Sequence, residues 1–174
     1  MWQTLRQIAR VGRITETPAR HDRGGAAEPE AEQKIRTELL RVLGRALTIR
    51  VVDAGSCNGC ELEVNALSNP YYNIEGLGIQ FVASPRHADL LLVTGPVSRH
   101  MHGALRRTFD AMPDPKLVVA AGDCACSGGI FGESYASCGR VANVLPVDVT
   151  VPGCPPSPEA LLQGISRAVH RGGA

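Results

Sequence analysis

The chain has 174 residues, 44% hydrophobic and 20% charged, with a formal net charge of +1. That suits a single globular domain with a real apolar core; the near-neutral balance gives no electrostatic footprint for nucleic acid, and 4% aromatic residues leave little to build base-stacking platforms. No run reaches the ~20 apolar residues that span a bilayer. The N-terminus has neither an apolar core with a small-residue cleavage site nor a twin-arginine signal. The expected setting is therefore reducing and cytosolic, where clustered cysteines read as metal or redox sites before structural disulfides.

Residues 1–14, MWQTLRQIARVGRI, read as a short amphipathic helix with Trp2, Leu5, Ile8 and Ala9 on one face and Arg6, Arg10 and Arg13 along its flank. Such a helix suits a membrane surface, or packing on its own domain or on a partner. Residues 15–33 are polar, punctuated by Gly and Pro and without period, which is the composition of an exposed linker. A second helix is expected over about 30–45, with Ile35, Leu39, Val42 and Leu43 on one face, and the main domain covers 34–174.

From residue 47 the texture changes. LTIRVVDAG, GIQFVAS, DLLLVTG, KLVVAAG and VDVTVPG are short Val/Leu/Ile-rich runs, mostly ended by Gly, as expected of strands buried on both faces. Helical patterns lie between them. One is ELEVNALS after Cys60, a second is marked by Met101, Leu105, Phe109 and Met112, and a third by Leu161, Ile165 and Val169, with Ser157 as N-cap and Pro158 in the first turn. This alternation predicts an α/β fold, an open parallel sheet with helices on both faces.

Parallel α/β sheets bind ligands outside the carboxyl ends of their strands. Cys57 and Cys60, a C-x-x-C, follow the first strand, Cys124 and Cys126 follow KLVVAAGD, and Cys154 follows VDVTVPG. Three strand ends thus deliver thiols to one edge of the sheet. Four thiolates complete either a tetrahedral zinc site or a cubane iron–sulfur cluster. A zinc ribbon would show two C-x-x-C pairs; here one pair is followed by distant single cysteines, and Cys154 is followed by Pro155 and Pro156. A Cys-Pro after a cluster ligand occurs in bacterial ferredoxins, which favours iron–sulfur over zinc. A C-x-x-C between a strand and a helix also suits a thiol–disulfide oxidoreductase, but that reading leaves Cys124 and Cys154 without a role. Gly128 and Gly129 form no phosphate loop, because the lysine of that motif is missing.

DAGSCNGCELE, GIQFVASPRHADLLLVTGPVS, PDPKLVVAAGDCACSGGIF and PVDVTVPGCPPSPEALL, spread in that order over roughly 47–170, resemble the small subunit of the group 4, energy-converting nickel–iron hydrogenases, of which formate hydrogenlyase is one. The family they resemble also includes the homologous 20-kDa-type subunit of respiratory complex I. The resemblance implies a flavodoxin-like fold and one 4Fe–4S cluster, with Cys57, Cys60, Cys124 and Cys154 as ligands and Cys126 and Cys138 as ordinary cysteines. Complex I members carry adjacent cysteines at the first motif, so the C-x-x-C sides with the hydrogenases. Gly55, Gly59, Gly122 and Gly153 would let backbone N–H groups approach the cluster, or simply make turns. Glu61, next to Cys60, would couple electron and proton movement, or else be an acidic first-turn residue favoured by the helix N-terminus.

The implied function is electron transfer within a membrane-associated oxidoreductase, with the cluster beside the active site of a large, nickel–iron hydrogenase-like catalytic subunit. The resemblance also implies a ferredoxin-like iron–sulfur subunit and integral membrane subunits as partners, no nucleic acid, and a peripheral position on the cytoplasmic face of the inner (plasma) membrane. The N-terminal MWQTLRQIARVGRITETP resembles the membrane-edge helix that opens the ferredoxin-like subunit of such complexes. The alternatives are a zinc- or disulfide-based C-x-x-C module, or a quinone-reducing relative without hydrogenase activity. Arg86 and His87 are expected to shape a loop or meet a partner, and His21, His100, His102 and His170 to lie on the surface or face partners.

Overall fold

The structure, a computed structural model, describes residues 44–172 together with Trp2, Arg6 and Thr37, which are helical and exposed. The rest of the 1–14 helix, the 15–33 linker and most of the helix expected over 30–45 lie outside the described residues.

Five strands form in the five apolar runs: β1 (Leu47–Asp53), β2 (Ile79–Phe81), β3 (Leu90–Thr94), β4 (Leu117–Ala121) and β5 (Val149–Val151). All pairings are parallel and the order is β2-β1-β3-β4-β5. This is the flavodoxin-type order, with its switch point between β1 and β3. Val52 stands opposite Val93, Val93 opposite Ala120, and Ala121 opposite Val151. The helices are α1 (Gly59–Ala66), α2 (Arg99–Asp110), α3 (Asp123–Ser127) and α4 (Pro158–Gly172), with 3-10 turns at Pro85–His87 and Val141–Asn143.

The inner strands β3 and β4 are apolar at nearly every position because both faces are covered there. Side chains alternate between faces with period two. Ile49, Leu92, Val119 and Ala121 face one core with Val64 of α1 and Leu161, Ile165 and Ala168 of α4. Val52, Leu91, Val93, Val118 and Ala120 face the other, against Leu105 of α2 and Ala125 of α3. Each fully buried aliphatic side chain contributes roughly 1.5–3 kcal/mol of transfer free energy. The core therefore holds the carboxyl ends of the strands, and the loops on them, in fixed relative positions. Ser157 caps α4 as expected, its Oγ accepting from the Ala160 N–H at 3.3 Å, and Ser98 caps α2 by accepting from Met101 N–H at 3.3 Å.

Three local outcomes differ from the sequence reading. α1 begins at Gly59 because Asn58 adopts the left-handed conformation (φ 73) that Asn tolerates, which carries Cys60 into the first turn. α2 stops at Asp110, yet Met112 beyond it is buried. The five-residue α3, which carries Cys124 and Cys126, had no sequence signal.

Candidate metal centre

At the end of β1 the chain folds over itself. Asp53 Oδ1 accepts from the N–H groups of Gly55 at 2.8 Å and Ser56 at 2.7 Å. Ser56 Oγ accepts from Asn58 N–H at 3.1 Å and donates to Glu61 Oε2 at 2.7 Å. The other carboxylate oxygen of Glu61 accepts from the hydroxyl of Thr94, a fully buried residue at the end of β3. The Cys57–Cys60 loop is thus pinned at both ends and braced against the neighbouring strand. Cys57 is exposed and Cys60 buried.

Cys124 lies on α3, after β4, and is half-buried; Cys154 follows β5 and is exposed. The two loops are clasped together: Asp123 N–H donates to Gly153 O at 2.8 Å, and Gly153 N–H donates to Asp123 Oδ1 at 2.7 Å. The sulfur of Cys60 rests against Gly122 at the end of β4, where a built Cβ would lie 2.6 Å from Cys60 Sγ. The sulfur of Cys124 rests in the same way against Gly129.

The four thiols stand close enough to act on one another. Burial pushes Cys60 up to about 11 from 9.0, and the neighbouring charges of Glu61, Cys57, Cys124 and Cys154 push in the same direction. Cys124 is raised by burial first, then by Cys154, Cys57 and Asp123. Cys126 is also raised, by burial, but its thiol points away, 3.5 Å from Ala120 O. Cys138 packs against the α2-side core. The structure therefore brings together Cys57, Cys60, Cys124 and Cys154 and leaves Cys126 and Cys138 apart.

The donor set suits a cluster. The nearby carboxylates are already engaged, Glu61 through both oxygens and Asp123 through Oδ1, which leaves the thiols as the uncommitted donors. Among the described residues no group of three or more His, Cys, Asp or Glu side chains is gathered closely enough to hold a metal ion. An all-cysteine set spread over three loops fits an iron–sulfur cluster.

Of the four glycines singled out in the sequence, Gly122 is required by the thiols themselves, and Gly55 and Gly153 are required by backbone packing, against Pro96 O and Pro156. Gly59 has ordinary space. Arg86 and His87 are exposed in the 3-10 turn, His100 and His170 are exposed, and His102 is half-buried. His21 lies outside the described residues. The residues that sequence reasoning missed are Asp123, Thr94 and Ser56. The GDC triplet held Asp123 in plain view, but its partner Gly153 is 30 positions away. A cleft of about 550 Å³ lined by Asp148, Thr150, Ser166, Arg167, His170 and Arg171 lies at the starting end of β5, away from the thiols.

Comparison with known proteins identifies the family. The family described as NADH ubiquinone oxidoreductase, 20 Kd subunit, matches residues 57–168. The probable membrane-bound hydrogenase subunit mbhJ of Pyrococcus furiosus is 41% identical over 145 residues, covering 83% of this chain and 87% of that protein. Formate hydrogenlyase subunit 7 of Escherichia coli is 43% identical over 140 residues, covering 80% of this chain but 55% of that longer protein. Among solved structures, a chain of the membrane-bound sulfane sulfur reductase, an archaeal respiratory membrane complex, superposes with a TM-score of 0.65 at 34% identity, covering 76% of this chain and 75% of the other. The chain belongs to the family of the 20 kDa subunit of NADH ubiquinone oxidoreductase, whose relatives here are subunits of redox complexes.

Proposed function

We propose that this chain is the electron-transfer subunit of a membrane-associated, hydrogenase-like oxidoreductase, holding one 4Fe–4S cluster through Cys57, Cys60, Cys124 and Cys154. The observation that carries this reading is the delivery of four thiols from three strand ends, with Cys60 Sγ lying against Gly122 beside Cys124, and with Cys60 and Cys124 raised by burial and then by charges that include Cys57 and Cys154. A cluster bound there supplies one-electron transfer, at a potential governed by net charge, burial and hydrogen bonds to sulfur. The chain's own work is to fix the four sulfurs, keep carboxylates out of the donor set and present the site to a partner. The spaced C-x-x-C favours a hydrogenase-type complex over a quinone-reducing one.

Ile130, Phe131 and Tyr135, exposed at 94%, 57% and 96%, stand on the loop that follows Cys124. That loop is held by hydrogen bonds from Ser134 N–H to Ser137 O at 3.0 Å and from Arg99 to Ser134 O at 3.3 Å. An ordered loop that offers three large apolar side chains to water is a docking surface. We assign it, with exposed Cys57 and Cys154, to the contact with the large catalytic subunit. A ferredoxin-like subunit would carry electrons to or from this assembly and integral membrane subunits would anchor it, with the chain peripheral on the cytoplasmic face. Among the described residues no helix is long and apolar enough to cross a membrane. Glu61 braces the Cys57–Cys60 loop. As a proton carrier it would exchange through Ser56, because Thr94 leads on only to the carbonyl of Val52.

The test is anaerobic iron and sulfide loading of the full chain, followed by iron counting and EPR of the reduced protein. Cys→Ser at positions 57, 60, 124 and 154 is expected to lower iron content and alter or abolish the 4Fe–4S signal, whereas Cys126→Ser and Cys138→Ser leave both intact. A full signal in Cys154→Ser would overturn the ligand set, and stoichiometric zinc in place of iron would overturn the cluster.

A further inference from the structure

The Cys124 and Cys154 loops are clasped together immediately before their cysteines. Asp123 is the residue before Cys124 and Gly153 the residue before Cys154. The two residues are joined twice, by Asp123 N–H to Gly153 O at 2.8 Å and by Gly153 N–H to Asp123 Oδ1 at 2.7 Å. The chain around this double bond is equally constrained. Gly122 N–H donates to Val151 O at 2.8 Å, continuing the β4–β5 ladder up to the clasp, and Gly128 N–H closes the short α3 on Cys124 O at 2.9 Å. The Cys124 and Cys154 α-carbons are therefore each one residue from a fixed point that the two loops share. α3 spans only Asp123–Ser127, too short for intrahelical bonds alone to hold Cys124 in place.

We propose that Asp123 is a positioning residue for the cluster: its side chain locks the spacing of the Cys124 and Cys154 thiols and sets a negative charge beside them. The inference rests on the four-cysteine reading above. Two consequences separate its parts. The bond to Gly153 N–H is geometric and needs only an acceptor at Oδ1, which Asn also provides. The charge is electrostatic and disappears in Asn. A negative charge near an iron–sulfur cluster favours its oxidised state and so lowers its potential.

The experiment compares wild type, Asp123→Asn and Asp123→Ala in the full chain after anaerobic loading. Losing a hydrogen bond to a charged group costs about 1.5–3 kcal/mol, roughly a 10- to 100-fold effect on an equilibrium. Asp123→Ala is expected to release iron to a chelator about tenfold faster or more, and Asp123→Asn to hold iron like wild type. In an EPR redox titration Asp123→Asn is expected to titrate at a higher potential than wild type, which a purely scaffolding side chain would not produce. Asp123→Ala is also compared in a cluster-free chain that keeps only Cys124 and Cys154, using a short thiol-bridging reagent. Slower bridging than in the Asp123 parent is expected, and this arm needs no loaded cluster. Iron release and bridging in Asp123→Ala equal to those of the parent chains would overturn the positioning role. An unchanged potential in Asp123→Asn would overturn the charge. A wild-type chain that takes up no iron while the bridging difference persists would overturn the cluster reading and leave the clasp standing.

Discussion

Gly122→Ala tests the site at its tightest contact. Gly122 has φ 92 and ψ 154, a region of backbone space essentially closed to residues with a Cβ, and forcing Ala into it costs about 1–3 kcal/mol. The added Cβ would lie 2.6 Å from Cys60 Sγ, with Gly153 O at 3.6 Å and the Pro156 ring at 4.0 Å. Cys60 is on the first turn of α1 and 9% exposed, so its sulfur has little room to retreat, and overpacking of this kind costs a further ~1–3 kcal/mol. The total, roughly 2–6 kcal/mol, is a large part of the 5–15 kcal/mol that ordinarily holds a domain together. Gly59→Ala is the control, because its Cβ would sit 3.5 Å from Cys57 Sγ, ordinary contact, on a helical residue. That change is expected to be neutral or to stabilise by up to ~1 kcal/mol. Urea unfolding of the cluster-free chain by circular dichroism reads the stability, and iron content after loading reads the site. Gly122→Ala is expected to lower both and Gly59→Ala neither. Wild-type stability with a full iron load in Gly122→Ala would show that the Cys60 sulfur does not lie on the end of β4.

Burial gives Cys60 a value of about 11 against 9.0, so in the cluster-free chain at pH 8 its thiolate fraction is about 100-fold below that of an ordinary thiol. Iodoacetamide labelling followed by mass spectrometry is expected to modify exposed Cys57 and Cys154 well before Cys60; early labelling of Cys60 would contradict its burial. The same raised value makes stability pH-dependent, because the folded chain holds the Cys60 proton more tightly than the unfolded chain. This contribution is complete below pH 9 and is lost as pH rises through about 11. The cluster-free urea midpoint is therefore expected to fall across that window, and to fall less in Cys60→Ala. Thr94→Val removes the donor to Glu61 at the fully buried end of β3 and is expected to cost about 1–3 kcal/mol, read as a lower urea midpoint; an unchanged midpoint would mean that the Glu61 brace contributes nothing.

Periodicity made the sheet legible because β3 and β4 are apolar without interruption and each run ends on a turn residue; the five runs became the five strands. That Cys57, Cys60, Cys124 and Cys154 follow the carboxyl ends of parallel strands was legible for the same reason, since the fold class dictates the direction of each strand. α3 was not legible: DCACS is shorter than two turns and has no apolar stripe to repeat. Nor was the start of α1, which depends on one left-handed asparagine. The bonds that hold the site are further out of reach. Thr94 and Glu61 are 33 positions apart, Asp123 and Gly153 are 30, and neither pair belongs to a repeating pattern. Such pairs are set by where loops land once the sheet has formed, and local propensity carries no trace of that.

The strand order explains why the thiols need so much bracing. β3 lies between β1, which leads to Cys57 and Cys60, and β4 and β5, which lead to Cys124 and Cys154. Two strand spacings, each about 4.8 Å, therefore separate the roots of the first pair from that of Cys124. Yet the Cys60 sulfur meets Gly122 at the end of β4. β3 ends level with its neighbours, Thr94 standing beside Asp53 of β1 and Ala121 of β4. Gly95, at φ 73, lets the β1 loop lie directly on it, where a Cβ would come within 2.4 Å of Ser56 N. The seat is then stitched from both sides by Ala54 N–H to Thr94 O at 3.0 Å, Ser98 N–H to Ala54 O at 2.8 Å and the Thr94 hydroxyl to Glu61. The β1/β3 switch point, which in related α/β folds is the crevice for a bound ligand, is here filled by the protein's own chain. In the strand order Cys57 and Cys60 follow β1 on one side of β3, and Cys124 and Cys154 follow β4 and β5 on the other. β3 contributes no thiol, but its end seats the loop that carries Cys57 and Cys60 toward β4, through Thr94 and the turn that follows it.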